Sequence, residues 1–194
     1  YARDGEAILP VLFGDYAETT NQYGVPGSTY YDDTIDIKFD LEKAKALMEE
    51  AGYPDGFSTT LTVVNSERSI QFCQIVIEQL AKIGIQVELN IVDGGAYMLA
   101  IDTWDSGMLL HTMSGSFLHP DDLNQVLEKA CASDSKSAVA LFQQSQHMLF
   151  EDYCMMRALA VTYQAYVTSP KLHDCGYAEN TPYGSTFHKA WLEE

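Results

Sequence analysis

The sequence predicts an α/β fold with a mixed sheet flanked by helices, and three observations predict it. Leu41, Ala44, Leu47, Met48 and Ala51 recur at three- and four-residue spacing, and so do Ile70, Cys73, Val76, Ile77 and Leu80, which marks two helices with one buried stripe each. The runs FSTTLTVV from Phe57 and IQVELNIV from Ile85 are rich in β-branched residues or alternate apolar with polar ones, as strands do. Finally, the order is helix, strand, helix, strand, which calls for βαβ connections and strands that run parallel.

The elements follow in order. Residues 4–14 (DGEAILPVLFG) start a short helix that Pro10 interrupts, and residues 19–36 have no helical or strand period and read as a long ordered loop. Asp40 caps a helix over 40–51, Gly52 ends it in the left-handed conformation, and Pro54-Asp55-Gly56 turns the chain into a strand over 58–64. A helix over 69–83 stops at Gly84, and a half-buried strand over 85–92 follows. A short helix spans 94–102 and a short buried strand spans 108–112 (MLLHT). The loop SGSFLHPDDL, 114–123, comes directly after that strand, at the position where α/β proteins tend to place ligands. Asp121 or Asp122 can cap a helix starting at Leu123, a further helix spans 137–153, a strand spans 158–168, and the tail is turn-rich and aromatic.

Composition narrows the function. The 194 residues, 46% of them hydrophobic, supply one core. A net charge of −17, with only 11 scattered Lys and Arg, argues against nucleic acid as a partner. Cys73, Cys131, Cys154 and Cys175 have no C-x-x-C spacing and are expected to be buried free thiols, with one disulfide as the alternative in an exported protein. The most apolar region, 147–167, is interrupted by Glu151, Asp152 and Arg157, so no membrane span is expected. Tyr1 is not an initiator methionine, and a fragment or processed product is expected.

Motifs for chemistry are weak. Histidines 111, 119, 147, 173 and 188 lack close pairing, so isolated structural roles are expected and no metal. No G-x-S-x-G elbow or triad occurs, and Asp121-Asp122 suits helix capping better than acid–base work. No catalytic residue and no cofactor is expected.

A family resemblance joins these segments. FDLEKAKALMEEAGYPDGF (39–57), IVIEQLAKIGIQVELNIVDGGAY (75–97), WDSGMLLHTMSGSFLHPD (104–121), ALAVTYQAYVTSPKLHDCGY (158–177) and RDGEAILPVLFGDYAE (3–18) resemble, in the right order, the family 5 extracellular solute-binding proteins. These are the peptide, dipeptide and nickel-type receptors of ABC importers. The resemblance implies a periplasmic-binding-protein-like (type II) lobe in which helix 40–51 docks on the sheet. It implies a C-terminal lobe over 1–168, a segment 169–194 returning toward an N-terminal lobe that this sequence lacks, and an extracytoplasmic, lipoprotein-type setting.

The implied function is capture of a peptide-like solute between two lobes and delivery to permease subunits in the membrane, by a monomer that is not an enzyme. The implied ligand surface is Ser114, Gly115, Ser116, Phe117, His119 and Asp121, with the Tyr23 to Tyr31 loop as a lesser contributor. One departure bears on specificity. Where peptide-binding members carry an aspartate for the peptide's α-ammonium, aligning His119-Pro120 with Asp-Pro places Ser116, which cannot form the charge-assisted pair; Asp121 is the alternative anchor. A non-peptide solute, a glycan or a metal chelate, is the alternative within the same fold, and a hydrolase is the alternative from another class.

Overall fold

A computed structural model of the chain describes residues 1–23, 26–103, 107–111, 121–162, 167–174 and 190–193. At its centre are three parallel strands, β2 (Ser58–Val64), β3 (Gln86–Val92) and β4 (Met108–Leu109), in the spatial order β3-β2-β4. Helix α3 (Glu67–Ala81) makes the crossover between β2 and β3 and covers the sheet with Phe72 and Cys73, both buried. Their partners are Leu61 and Val63 from β2, Leu110 just after β4, and Ile8 from α1 (Gly5–Phe13). The apolar periodicity of the sequence therefore resolves as one βαβ unit plus a third parallel strand.

The connections obey local rules. Helix α2 (Leu41–Glu50) begins where the Asp40 carboxylate accepts from the Lys43 amide at 2.9 Å, and it ends before Gly52, at φ 83°. Gly56 and Gly84, at φ 80° and 82°, touch backbone to backbone where the turn into β2 meets the turn into β3. That contact sets the register in which Ser58 lies opposite Gln86.

A second, helical layer holds α5 (Asp121–Cys131) and α6 (Ser135–His147), joined by a short turn in which Asp134 accepts from the Lys136 and Ser137 amides. Leu123, Leu149 and Phe150 form its core. The chain leaves α6 through a π-helical turn, Met148–Asp152. Strand β1 (Ala17–Thr19) pairs antiparallel with β5 (Ala160–Thr162), and α4 (Gly94–Thr103) follows β3. Tyr1–Thr162 form one compact unit and Tyr163–Glu194 another. In the second, β6 (Leu172–His173) pairs antiparallel with β7 (Trp191–Leu192), and the His173 ring stacks on Trp191 at 4.3 Å.

Several expectations are corrected. Pro10 does not interrupt α1, because Glu6 and Pro10 both lie on its exposed face, where a carbonyl left without its i+4 donor is open to solvent. On α2 the stripe is only partly covered: Ala44 is buried, but Leu47 is 41% exposed and Ala51 is exposed, since the sequence period shows which face is apolar and not how much lies against it. The helix before β5 starts at Ser135 and changes to π geometry after His147. The expected strands over 108–112 and 158–168 are seen over Met108–Leu109 and Ala160–Thr162, and residues 112 and 163–166 lie outside the described residues. Strand β1 was not anticipated at all. Cys73, Cys131 and Cys154 are free thiols, yet only Cys73 is buried; Cys131 and Cys154 are exposed at the ends of their helical segments.

Candidate ligand-binding surface

The carboxyl ends of β2, β3 and β4 define one edge of the sheet; past β4 the described chain ends at His111 and resumes at Asp121, the first residue of α5. Of the expected ligand residues, Ser114, Gly115, Ser116, Phe117 and His119 lie outside the described residues. What the structure describes is the pair of anchors at the two ends of their loop.

The exit anchor is built on Tyr97, the buried residue of α4. Its hydroxyl donates to the Leu110 carbonyl at 2.6 Å and meets His111 Nδ1 at 3.0 Å, and the two rings stack with an interplanar angle of 11°. Burial pushes the Tyr97 phenol pKa up, so the group stays a neutral donor. A short strand of two paired residues is thus held at its end by a side chain from the preceding helix.

The return anchor is at the first turn of α5. The helix starts at Asp121 itself, two residues before the expected Leu123, and this places both aspartates in the first turn, where their charge suits the helix dipole. Asp122 is engaged twice: Oδ1 accepts from the Leu123 amide at 2.8 Å, and Oδ2 accepts from the Tyr153 hydroxyl at 2.5 Å. The Tyr153 bond holds the Asp122 carboxyl below the usual carboxylate range and pushes the phenol up. Asp121 and Asp122 are both exposed, as is Asp93 just after β3, so the described part of this surface carries acidic groups.

The Tyr23 to Tyr31 loop is fixed from α6. Gln146 accepts from the Tyr23 amide at 3.0 Å and donates to the Tyr30 carbonyl at 2.8 Å, and Gln143 donates to the Tyr31 carbonyl at 3.0 Å. Buried Gln22 closes the loop on itself, accepting from the Asp32 amide at 2.9 Å and donating to its carbonyl at 2.7 Å. Tyr23 and Tyr30 pack edge-on against Phe150 and Phe142 and remain about half exposed. Sequence reasoning missed Tyr97, Asp122 with Tyr153, and the three glutamines. A tyrosine on an apolar helix stripe was the only signal available, and only for Tyr97. Among the described residues, no group of three or more His, Cys, Asp or Glu could hold a metal ion, and no helix is long and apolar enough to cross a membrane.

Comparison with known proteins fixes the family. Residues 1–133 match the family described as bacterial extracellular solute-binding proteins, family 5 Middle. The chain belongs to that family. Among family 5 relatives, the glutathione-binding protein GsiB of Salmonella choleraesuis is 36% identical over 96 residues, which is 49% of this chain and 19% of the relative. The periplasmic binding protein DppA of Helicobacter pylori, solved with the peptide STSA, superposes with a TM-score of 0.80 at 24% identity over 100% of this chain and 42% of its own. A dipeptide-binding protein of Pseudoalteromonas, solved with Met-Leu, gives 0.78 at 17% identity over 99% of this chain and 43% of its own. These structural neighbours are type II periplasmic binding proteins, which is the fold expected from the sequence. The chain spans about two fifths of their length. The family and the neighbours are solute-binding proteins, not enzymes.

Proposed function

We propose that this family 5 chain acts as one lobe of the substrate-binding subunit of an ABC importer, and that the captured solute is peptide-like. The observation that supports it most is the family match across the parallel βαβ sheet and the loop leaving its carboxyl edge, the region tethered by Tyr97 at one end and Asp122 at the other. In this reading residues 1–168 are the C-terminal lobe, 169–194 return toward an N-terminal lobe, and the solute lies between the two against 114–121. Partners are the solute and permease subunits in the membrane, and no nucleic acid; the receptor is a monomer on the outer side of the cell membrane, lipid-anchored or periplasmic. Glutathione, the STSA peptide and Met-Leu, named with the relatives, support a peptide-like solute.

Asp121 is the proposed anchor for a solute ammonium, since Ser116 cannot supply the charge. Calorimetry tests the reading. Short peptides should bind a protein with both lobes, and N-acetylation should weaken binding at least about tenfold, the worth of one charge-assisted hydrogen bond. This chain alone should show no binding below about 1 mM, because a cleft with one wall buries too little of the ligand. Micromolar binding by this chain alone would overturn the two-lobe reading, and a two-lobed protein that binds no peptide would overturn the solute class.

A further inference from the structure

One histidine sits where every polar contact it makes crosses to a carboxylate or hydroxyl. His147, the last residue of α6, is half-buried. Its Nδ1 lies 2.6 Å from Glu151 Oε2 in the π-helical turn. Its Nε2 lies 3.2 Å from Asp32 Oδ2 and 3.1 Å from Thr34 Oγ1, both in the irregular segment 20–40. Thr34 also donates its hydroxyl to Asp32 Oδ1 at 2.6 Å, and the Thr34 amide donates to the same oxygen at 2.9 Å.

The contacts Nδ1 to Glu151, Nε2 to Asp32 and Thr34 Oγ1 to Asp32 each need one hydrogen, and ionised carboxylates bring none. The threonine hydroxyl supplies one. An imidazolium supplies the other two, whereas a neutral ring supplies a single one. Loss of the ring proton therefore strips one contact, and with Glu151 holding Nδ1 at 2.6 Å, the contact that goes is the one to Asp32. There an imidazole lone pair then faces a carboxylate, and the Thr34 hydroxyl can donate to that lone pair only by giving up its own bond to Asp32.

We propose that His147 is a proton-operated latch that fastens the segment around Asp32 to the end of α6, closed as the imidazolium and released as the neutral ring. The charged groups facing the ring are Glu151, from the same helical run, and Asp32, from the segment it fastens. The Glu151 bond, and the charge of both carboxylates, raise the ring's pKa above its ordinary 6.5. A raised folded-state value means that the contribution is complete below pH 6.5 and is lost as pH rises through the folded value. Asp32 is lowered from 3.8, chiefly by its bonds to Thr34, so its charge is in place above pH 3.8 and is lost below the lowered value. The latch is thus at full strength between those two ordinary values and opens on the alkaline side.

Amide hydrogen exchange followed residue by residue reads the latch directly. Between pH 5.5 and 8.5, after correction for intrinsic rates, the Thr34 and Ile35 amides should lose protection roughly two- to tenfold, the range of one hydrogen bond, while Val63 in β2 keeps its protection. In His147→Gln that difference should vanish. Glu151→Gln, which removes one of the two facing charges and leaves the fold's buried groups untouched, should move the ring's titration midpoint to lower pH. A His147 midpoint at or below 6.5 in the unmodified chain, or equal protection of Thr34 at both pH values, overturns the proposal; so does a pH-dependent loss that persists in His147→Gln.

Discussion

A β-carbon on Gly56 would lie 1.9 Å from the Gly84 carbonyl oxygen, and the residue sits at φ 80°, so both the available space and the backbone conformation demand glycine. Gly56→Ala should cost about 2 kcal/mol or more, combining the left-handed penalty with a backbone clash that no rotamer can relieve. Urea unfolding measures it, and an unshifted midpoint would show that the two turns separate freely. At the return anchor, Tyr153→Phe removes the donor to Asp122 while keeping the ring. The Asp122 carboxyl should then titrate higher than in the unmodified chain, because its pKa is held down first by that hydroxyl. Carbon-detected NMR of the carboxyl carbon reads this, and an unchanged titration would mean that the 2.5 Å contact does not persist in solution. Cys73 shows the opposite influence: burial, with no partner charge, pushes its thiol up to about 11.

Helix α2 carries a prediction at the scale of an element. Asp40→Ala should lower stability by about 1 kcal/mol through loss of the cap to Lys43, whereas Leu47→Ala, on the exposed part of the same helix, should change it by less than about 0.5 kcal/mol. Equal losses in thermal denaturation would show that the apolar stripe is covered after all. The contrast also explains which elements were legible beforehand. The cap at Asp40, the stripe of α3 and the alternation of β3 are signals written within a few residues of one another, so the βαβ unit could be read directly. Strand β1 depends on β5, far along the chain, and three residues carry too little pattern to announce a strand. The π-helical turn after His147 follows from how Leu149 and Phe150 enter the helical-layer core, which no helical period encodes. The same limit applies to the candidate site: the loop after β4 could be located from its glycine, proline and aspartates, but its tethers, Tyr97 to Leu110 and Tyr153 to Asp122, join residues whose pairing only the fold creates.

At the scale of the molecule, charge dominates. With 28 Asp and Glu against 11 Lys and Arg, the chain carries a formal −17, and among the described residues surface pairs such as Lys45 with Glu42 offset it locally. Such a chain repels itself in the compact state. Raising ionic strength from about 0.01 M to about 1 M shortens the screening length from about 30 Å to about 3 Å, so the melting temperature at neutral pH should rise by a few degrees. A fall with added sodium chloride would mean that attractive pairs outweigh the net repulsion.

The pairing of β1 with β5 has a further consequence in time. Thr19 meets Ala160 across roughly 140 residues of chain, a contact of very high order compared with the adjacent strands of the βαβ unit. At a synthesis rate of about 5 to 20 residues per second, the first strand waits roughly 7 to 28 s after it is made before its partner exists. During that interval α1 can already settle on α3 through Ile8, but Ala17–Thr19 present an open hydrogen-bonding edge, and Arg3 has not yet met the carbonyls of Ala158 and Leu159 that it will clamp. Strand β1 therefore stays open long after it is made, and a newly made chain is vulnerable to pairing with a neighbour through that strand until residue 162 has emerged.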